Sequence, residues 1–431
     1  MPTFSELINS GLLAVGDGYR AKNDELGDDG PIFLRSAYLQ DSGWVLSNPD
    51  RLASQRDDFG PKVARIGDTV LTTKGNSLGR LGFVDADVAG AIYSPHLSYW
   101  RSLNYQVLDP RFLYYWSNTA ECLDQVRAKS YSTDMAPYLS LADQGSINLD
   151  VPLINQQQLA SNVLGVLDDK IALNRRMVET LENLARTVFQ SWCVDFEPTS
   201  VTADQNSGLP SPLTARSPSR LPRRDDLPAG WRLAPLSAIA TTARATVDPT
   251  SLGSQPLLHL SLPAFDRGQR PTLEPASAVK SLKLVARRGM ILFSKLNPHT
   301  PRIWVVPEES AIPMVASTEF VALTPTGAVP ASFLWSLLSS PAFVARATSM
   351  VTGTSKSHQR VQPASLMTTE WPLPLGPILA AFDALVAPLM ARIEALRLQS
   401  ATLAMLRNTL LPKLISGELQ ADDRAAIAAS A

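Results

Sequence analysis

Cysteine is nearly absent from this chain: Cys122 and Cys193 are the only two in 431 residues. They cannot form a disulfide framework, and neither belongs to a Cys-x-x-Cys pair that would hold zinc or run redox chemistry. Both are expected to be buried apolar residues. Histidine is also scarce, and His96, His259, His299 and His358 have no metal-ligand spacing among themselves, so no metal site is expected. No run of about 18 uncharged apolar residues exists. The opening Met1-Pro2-Thr3-Phe4-Ser5-Glu6 lacks the basic-then-apolar layout of a signal peptide. A cytoplasmic protein without a membrane partner is expected.

Catalytic signatures are missing as well. An amino-methyltransferase holds a flipped adenine with an Asn/Asp-Pro-Pro-aromatic motif, and Asn48-Pro49-Asp50 and Asn297-Pro298-His299 lack the second proline. No Gly-x-x-x-x-Gly-Lys-Ser/Thr loop is present to cradle ATP, and no Gly-x-Gly-x-x-Gly follows a strand. Asp50, Asp57, Asp58 and Lys62 come nearest to a nuclease cluster, but their spacing suits a solvated loop better than a compact Mg²⁺ site. Methylation, translocation or cleavage would have to come from a partner.

What the chain does contain is a duplication at a constant offset of 222 residues. Val63-Ala64-Arg65-x-Gly67 returns as Val285-Ala286-Arg287-x-Gly289, and Val151-Pro152-Leu153 returns as Leu373-Pro374-Leu375. Leu164, Leu167, Ile171, Leu181, Leu184 and Val188 return as Val386, Leu389, Ile393, Leu403, Leu406 and Leu410. Solenoid repeats have periods of about 20 to 50 residues, so a register held this long is a duplicated domain plus helix. The halves differ in charge: Arg20 to Asp150 holds 13 Lys plus Arg against 17 Asp plus Glu, a balance of −4, while Trp231 to Trp371 holds 13 against 7, a balance of +6. An acidic first half counts against binding a polyanion.

Each half begins with short β-branched runs punctuated by Gly and Asp, read as strands at 63–66, 69–72 and 91–93. Helical spacing follows at 111–116 with 120–126, matched by 332–338 with 343–347. Asn155 and Gln158 look like the N-cap and N3 residues of a long helix reaching about Trp192. Leu167, Ile171, Asn174, Val178, Leu181, Ala185 and Val188 step by fours and threes along it, a coiled-coil seam with one polar member that would set register. The second copy, from about Pro377 to Leu411, has Leu389, Ile393, Leu396, Leu403 and Leu410 on its seam; Pro388 predicts a kink or a restart, and Pro412 and then Gly417 a stop. Helices of roughly 35 residues, or about 50 Å, need a partner, and antiparallel packing on each other would place the two domains at opposite ends of a rod. Covering only their own domains is the alternative.

Several runs carry a family resemblance. Leu167-Asp168-Asp169-Lys170-Ile171-Ala172-Leu173-Asn174-Arg175-Arg176, Glu179-Thr180-Leu181-Glu182, Phe189-Gln190-Ser191-Trp192 and Val194-Asp195-Phe196 resemble the central conserved region of type I restriction-modification specificity subunits. The run from Leu406 through Leu411-Pro412-Lys413-Leu414-Ile415-Ser416-Gly417-Glu418-Leu419 is similar to the C-terminal conserved region of that family, and Leu227-Pro228-Ala229-Gly230-Trp231 resembles its approach to the second recognition domain. The first half lacks such a Pro-x-Gly-Trp approach. The resemblance implies an α+β fold, with two α/β target recognition domains joined by two long antiparallel coiled-coil helices in a pseudo-twofold internal repeat. The expected divisions are a first recognition domain at 1–153, a central conserved helix at 154–198, a linker at 199–230, a second recognition domain at 231–375, a C-terminal conserved helix at 376–419 and a flexible tail at 420–431.

It also implies a non-catalytic subunit with no cofactor of its own, reading a split double-stranded DNA target while its helices dock two methyltransferase subunits. S-adenosylmethionine would then belong to the methyltransferase, and ATP and Mg to restriction/translocase subunits that join the complex. A stand-alone DNA-binding regulator is the alternative. The family's individual DNA contacts do not transfer, so candidates come from residue chemistry: cations for phosphates, and amides, hydroxyls and cations for base edges. One loop pair is Lys74, Asn76, Ser77 and Arg80 in the first half and Lys295, Asn297, His299 and Arg302 in the second. The other, just before each apolar-Pro-Leu element, is Lys129 and Ser132 within 127–133, and Lys356, Ser357, His358, Gln359 and Arg360 within 352–360. Solvated hairpin loops are the plain alternative. Arg65 and Arg287 read equally as contacts or as structural ion pairs.

Overall fold

The computed structural model describes residues 1–40, 43–46, 48–53, 59–130, 137–196, 227–307, 311–352 and 359–419. The chain divides into two compact units, Met1–Ala172 with Thr402–Ala431, and Leu173–Ala401. Both divisions fall inside long helices. Most of the expected linker and all of the expected tail lie outside the described residues.

The first unit begins with α1 (Phe4–Asn9), closed by a Thr3/Glu6 capping box. Its main antiparallel sheet has the order β1 (Leu13–Asp17), β6 (Leu97–Ser102), β3 (Thr69–Thr72), β4 (Leu81–Phe83). A smaller sheet pairs β2 (Leu26–Leu34) in parallel with β5 (Ile92–Tyr93). All four residues of β3 are buried, which accounts for a β-branched run without polar alternation. The run expected at 63–66 is not a strand: Val63 makes one bridge to Ile92, and the chain then turns so that Asp68 can re-enter the sheet. Three helices, α2 (Pro110–Ser117), α3 (Ala120–Ser130) and α4 (Leu141–Gly145), follow before α5 (Ile154–Phe189).

The second unit repeats this plan. Its four-stranded antiparallel sheet has the order β7 (Ala240–Ala243), β13 (Phe320–Pro325), β10 (Ile291–Ser294), β11 (Ile303–Val305). Its other sheet holds β8 (Pro256–Leu260), β9 (Lys283–Val285) and β12 (Met314–Ala316). Then come α6 (Ala331–Ser339), α7 (Pro341–Ser349), α8 (Pro363–Met367) and α9 (Pro377–Ile415). β3, β4 and α4 map onto β10, β11 and α8 at the 222-residue offset.

Asn155 is not the N-cap: α5 starts at Ile154, so Asn155 lies in the first turn, with its Oδ1 accepting from Gln156 N at 3.0 Å. Neither proline stops α9, which runs unbroken past Pro388 and through Pro412 to Ile415. A proline removes one donor and crowds the preceding turn, but apolar packing on both flanks, at Val386 and Ile393 and at Leu410 and Leu414, holds the helix. The chain leaves it near Gly417, at φ +74°.

Within the first unit Ala160, Leu164 and Leu167 of α5 share one apolar cluster with Leu406, Leu410 and Leu414 of α9. Asp168 accepts from Arg407 Nη1 at 2.6 Å and from Tyr115 Oη at 2.9 Å. Arg111 of α2 reaches Asp169 at 3.1 Å across Gly165, where a Cβ would lie 2.3 Å from its Nη1. Within the second unit Ile171's successor on the seam, Asn174, is fully buried and donates to Gln399 Oε1 at 2.9 Å and Ser400 Oγ at 3.2 Å. Further along, Glu182 takes Arg397 at 2.6 Å. Pairings that rise in number on one helix and fall on the other make the two antiparallel there. Both cysteines are buried, and burial pushes both thiols up.

The two units fill one equivalent place differently. In the first, buried Asp68 takes Arg101 through two bonds of 2.6 Å and Tyr93 Oη at 2.7 Å. Burial first, and then the Asp68 carboxylate, raise the tyrosine's pKa. By strand register the second unit has Met290, Thr324 and Ala316 there. Removing one member of a buried ion pair leaves an uncompensated charge. Asp68→Ala is therefore expected to cost about 3–5 kcal/mol, and the double change Asp68→Met with Arg101→Thr, which copies the second unit, should cost less. Thermal unfolding of the full chain checks this; a double variant weaker than the single one would remove the pairing argument.

Candidate nucleic-acid interface

β3 ends at Thr72, and the loop behind it is tied back to that residue. Thr72 Oγ1 donates to Ser77 O and accepts from Arg80 N at 3.0 Å, and Gly79 N donates to Thr72 O at 2.9 Å. Gly75 and Gly79 have φ of +76° and +87° with open space around them, so backbone conformation alone calls for glycine. The loop presents exposed Lys74 and Asn76, with Ser77 and Arg80 half-buried. Arg80 Nη1 also reaches Leu39 O at 3.4 Å.

The chain beyond the second candidate run, at 137–139, comes back to this loop. Lys74 bridges Tyr138, Gly75 N donates to Pro137 O at 3.2 Å, and Leu139 N donates to Thr73 O at 3.0 Å. Lys129 is half-buried in the last turn of α3, and Ser132 lies outside the described residues. A cleft of about 460 Å³ opens beside the loop, lined by Asn76, Ser77 and Arg80 together with Gln40, Asn118 and Arg127. Amides, a hydroxyl and guanidinium groups around one cleft suit hydrogen bonding to base edges or phosphates.

In the second unit the same two segments meet at the same offset: Leu296 bridges Arg360, as Lys74 bridges Tyr138. Asn297 N donates to Gln359 O at 2.8 Å and Val361 N to Lys295 O at 3.0 Å. Lys295, Asn297 and Gln359 are half-buried, and His299 is exposed. Asn297 has φ +49°, and its buried Oδ1 has no partner among the described residues. Asparagine tolerates that backbone region better than most residues, and an unmet buried acceptor calls for an explanation. Lys356, Ser357 and His358 lie outside the described residues.

Two of the expected contact arginines are already engaged. Arg302 forks onto Asp266 at 2.7 and 2.9 Å, and Arg360 onto Glu319 at 3.0 and 3.1 Å. The Glu319 hydrogen bonds and charge raise the Arg360 pKa. A bidentate fork fixes the guanidinium plane, so both side chains are held by carboxylates in this structure. Sequence reasoning passed over Tyr138, Gln40 and Asn118. Tyr138 was accessible through the offset, being the counterpart of Arg360; the other two come from segments distant in sequence that only the fold brings together.

Among the described residues no group of three or more His, Cys, Asp or Glu is placed to hold a metal. Asp50 instead lies in an ion pair 2.7 Å from Arg35 Nε and accepts from Tyr38 Oη at 2.5 Å; Asp57 and Asp58 lie outside the described residues. No described helix is long and apolar enough to cross a membrane.

No protein-family model matches the chain. The type I restriction enzyme HindI specificity subunit of Haemophilus influenzae is 29% identical over 143 residues, a match that spans 33% of this chain and 31% of that protein's length. The crystal structure of the type I restriction-modification S subunit from M. genitalium covers 96% of this chain and 94% of its own at 14% identity, with a TM-score of 0.52. The chain shares that fold. The HsdS subunit of Thermoanaerobacter tengcongensis covers 94% and 97% at 17% identity, but its TM-score of 0.31 is too low to bear on the fold.

Because Arg360 and Glu319 are partly exposed, at 40% and 28%, their pair is worth only about 0.5–1 kcal/mol after solvent screening. Its effect should be local. Glu319→Gln is expected to speed amide exchange at Asn297 and Val361 severalfold while leaving global unfolding almost unchanged, as read by hydrogen–deuterium exchange.

Proposed function

We propose that this chain is the DNA-reading subunit of a type I restriction-modification complex. Each unit's loop pair would read one half of a split duplex target, and the helices would dock methyltransferase subunits. One observation carries the reading: the same two segments are bridged at the same offset in both units, Lys74 to Tyr138 and Leu296 to Arg360, while the side chains they present differ. Equivalent placement with unlike chemistry suits two reading heads for two unlike half-sites. The fold shared with the M. genitalium S subunit and the partial likeness to the HindI specificity subunit support the same reading.

The docking part draws on the helices. Leu173, Leu184, Leu385 and Leu398 of the second unit are 44%, 47%, 50% and 69% exposed, apolar surface on helices that already pack on each other. Contiguous exposed apolar surface marks protein contacts, and these leucines are the side chains that such a contact would use. In the proposed complex the subunit works in the cytoplasm and does no chemistry itself. A methyltransferase supplies S-adenosylmethionine and flips the target adenine out of the stack, and restriction subunits supply ATP- and Mg-dependent steps.

Methylation mapping of cells expressing the methyltransferase with and without this chain should reveal a two-part motif with an unread spacer. A continuous motif would reject the two-headed reading. Lys74→Ala and Lys295→Ala should each flatten the log–log salt dependence of DNA binding by up to about one unit if the lysines neutralise phosphates. Unchanged slopes in both would move the interface away from these loops.

A further inference from the structure

Outside the helices, Val-Ala-Arg-x-Gly is the closest match between the halves, and most of it has a structural reason. Val63 bridges Ile92, and Val285 pairs with Val315. Ala64 and Ala286 are buried, at 2% and 6% exposure. Gly67 and Gly289 have φ of +94° and +81°, in turns closed by Asp68 N donating to Arg65 O at 3.0 Å and Met290 N donating to Arg287 O at 3.2 Å. The arginines have no such reason. Arg65 and Arg287 are both exposed, and neither side chain is ion-paired among the described residues, so the structural ion pairs left open above are not formed.

Position narrows what the arginines meet. The Arg65 turn and the Lys74 loop lie at opposite ends of β3, whose four residues span about 13 Å. A Cβ at Gly67 would lie 3.1 Å from Pro110, the first residue of α2. The α2 cap, Asp109, accepts from Ser161 of α5 at 2.5 Å, which places this end of the unit against the long helix. From there α2 runs eight residues, about 12 Å, towards Asn118 in the polar cleft. The second unit shares the strand and the helix link: β10 joins the Arg287 turn to the Lys295 loop, and Ser332 in the first turn of α6 donates to Asp383 of α9 at 2.5 Å, although Gly289 is open where Gly67 meets Pro110.

We propose that Arg65 and Arg287 are matched docking contacts for acidic groups on the methyltransferase subunit, one for each copy. The proposal rests on the reading that methyltransferase subunits dock on these helices. A side chain kept identical in two domains whose reading loops have diverged meets something that is the same on both sides. DNA phosphates would also be the same on both sides; the site beside the helix, a strand's length from the loops, selects the protein partner. Guanidinium groups can fork onto carboxylates.

The test assembles the full chain with its methyltransferase subunit and measures stoichiometry and affinity by sedimentation. R65E and R287E should each weaken one of two sites by about tenfold or more, and the double reversal should weaken both. R65K/R287K should bind within about threefold of wild type if charge dominates over fork geometry. If reversals fail to fold by thermal unfolding, R65Q/R287Q takes their place with the same expected direction. Undiminished methyltransferase affinity in the folded double variant overturns the proposal. Normal assembly with about two units lost from the DNA salt slope also overturns it, and makes the arginines phosphate contacts. A wild-type chain that binds no methyltransferase would instead sink the docking reading itself.

Discussion

Neither unit closes its hydrophobic core with its own globular part alone. In the first unit the cluster around Phe4, Trp100 and Trp116 is completed by Ala160 and Leu164 from α5 and by Leu410 and Leu414 from α9. In the second, the cluster around Phe293, Phe333 and Phe343 is completed by Ala185 and Phe189 from α5 and by Phe382, Val386 and Ile393 from α9. Each fully buried large side chain contributes on the order of 2 kcal/mol, so losing either helix would open a core. The helices are thus part of both units, and compact divisions of the chain cut through them.

That constraint separates what can vary from what cannot. Strands β3 and β10 carry a loop at one end and a turn near the long helices at the other, so a loop can change its chemistry without touching the closure. The buried centres have also diverged, with Asp68, Arg101 and Tyr93 in one unit against Met290, Thr324 and Ala316 in the other. An ion pair and an apolar filling can be nearly equivalent in stability, which is why the strand order survives the exchange. Even the link from the helix after the sheet to the long helix is kept with its roles reversed: Ser161 donates to Asp109 in the first unit, and Ser332 donates to Asp383 in the second. Ser161 and Asp383 occupy the same repeat position.

Much of this was legible in the sequence because it is local or periodic. The seams predicted antiparallel helices, and within the second unit Asn174 is the buried polar seam residue expected. The loops were legible as chemistry, and the 222-residue offset joined them across the halves. The carboxylate partners of Arg302 and Arg360 were not legible, since Asp266 and Glu319 lie 36 and 41 residues away in sequence and meet them only through the fold. Pro412 misled for a related reason: local preference favours a stop there, and tertiary packing carries the helix on to Ile415.

The opposite charge balances of the halves, −4 and +6, have a partly local cause. In the first unit carboxylates serve helix starts: Asp109 caps α2, and Asp143 completes the capping box of α4. The corresponding starts in the second unit have Pro330 before α6 and Gln362 before α8. A carboxylate at a helix N-terminus accepts amide hydrogens and meets the positive end of the dipole, so such acids are answered by the backbone and need no neighbouring cation. They make the sum more negative away from the cleft, where Arg80 and Asn76 stand beside Arg127, itself paired with Asp124 at 2.9 Å. Net charge is therefore a poor guide to this interface: an acid held at a helix start or in the core counts in the sum without facing the cleft.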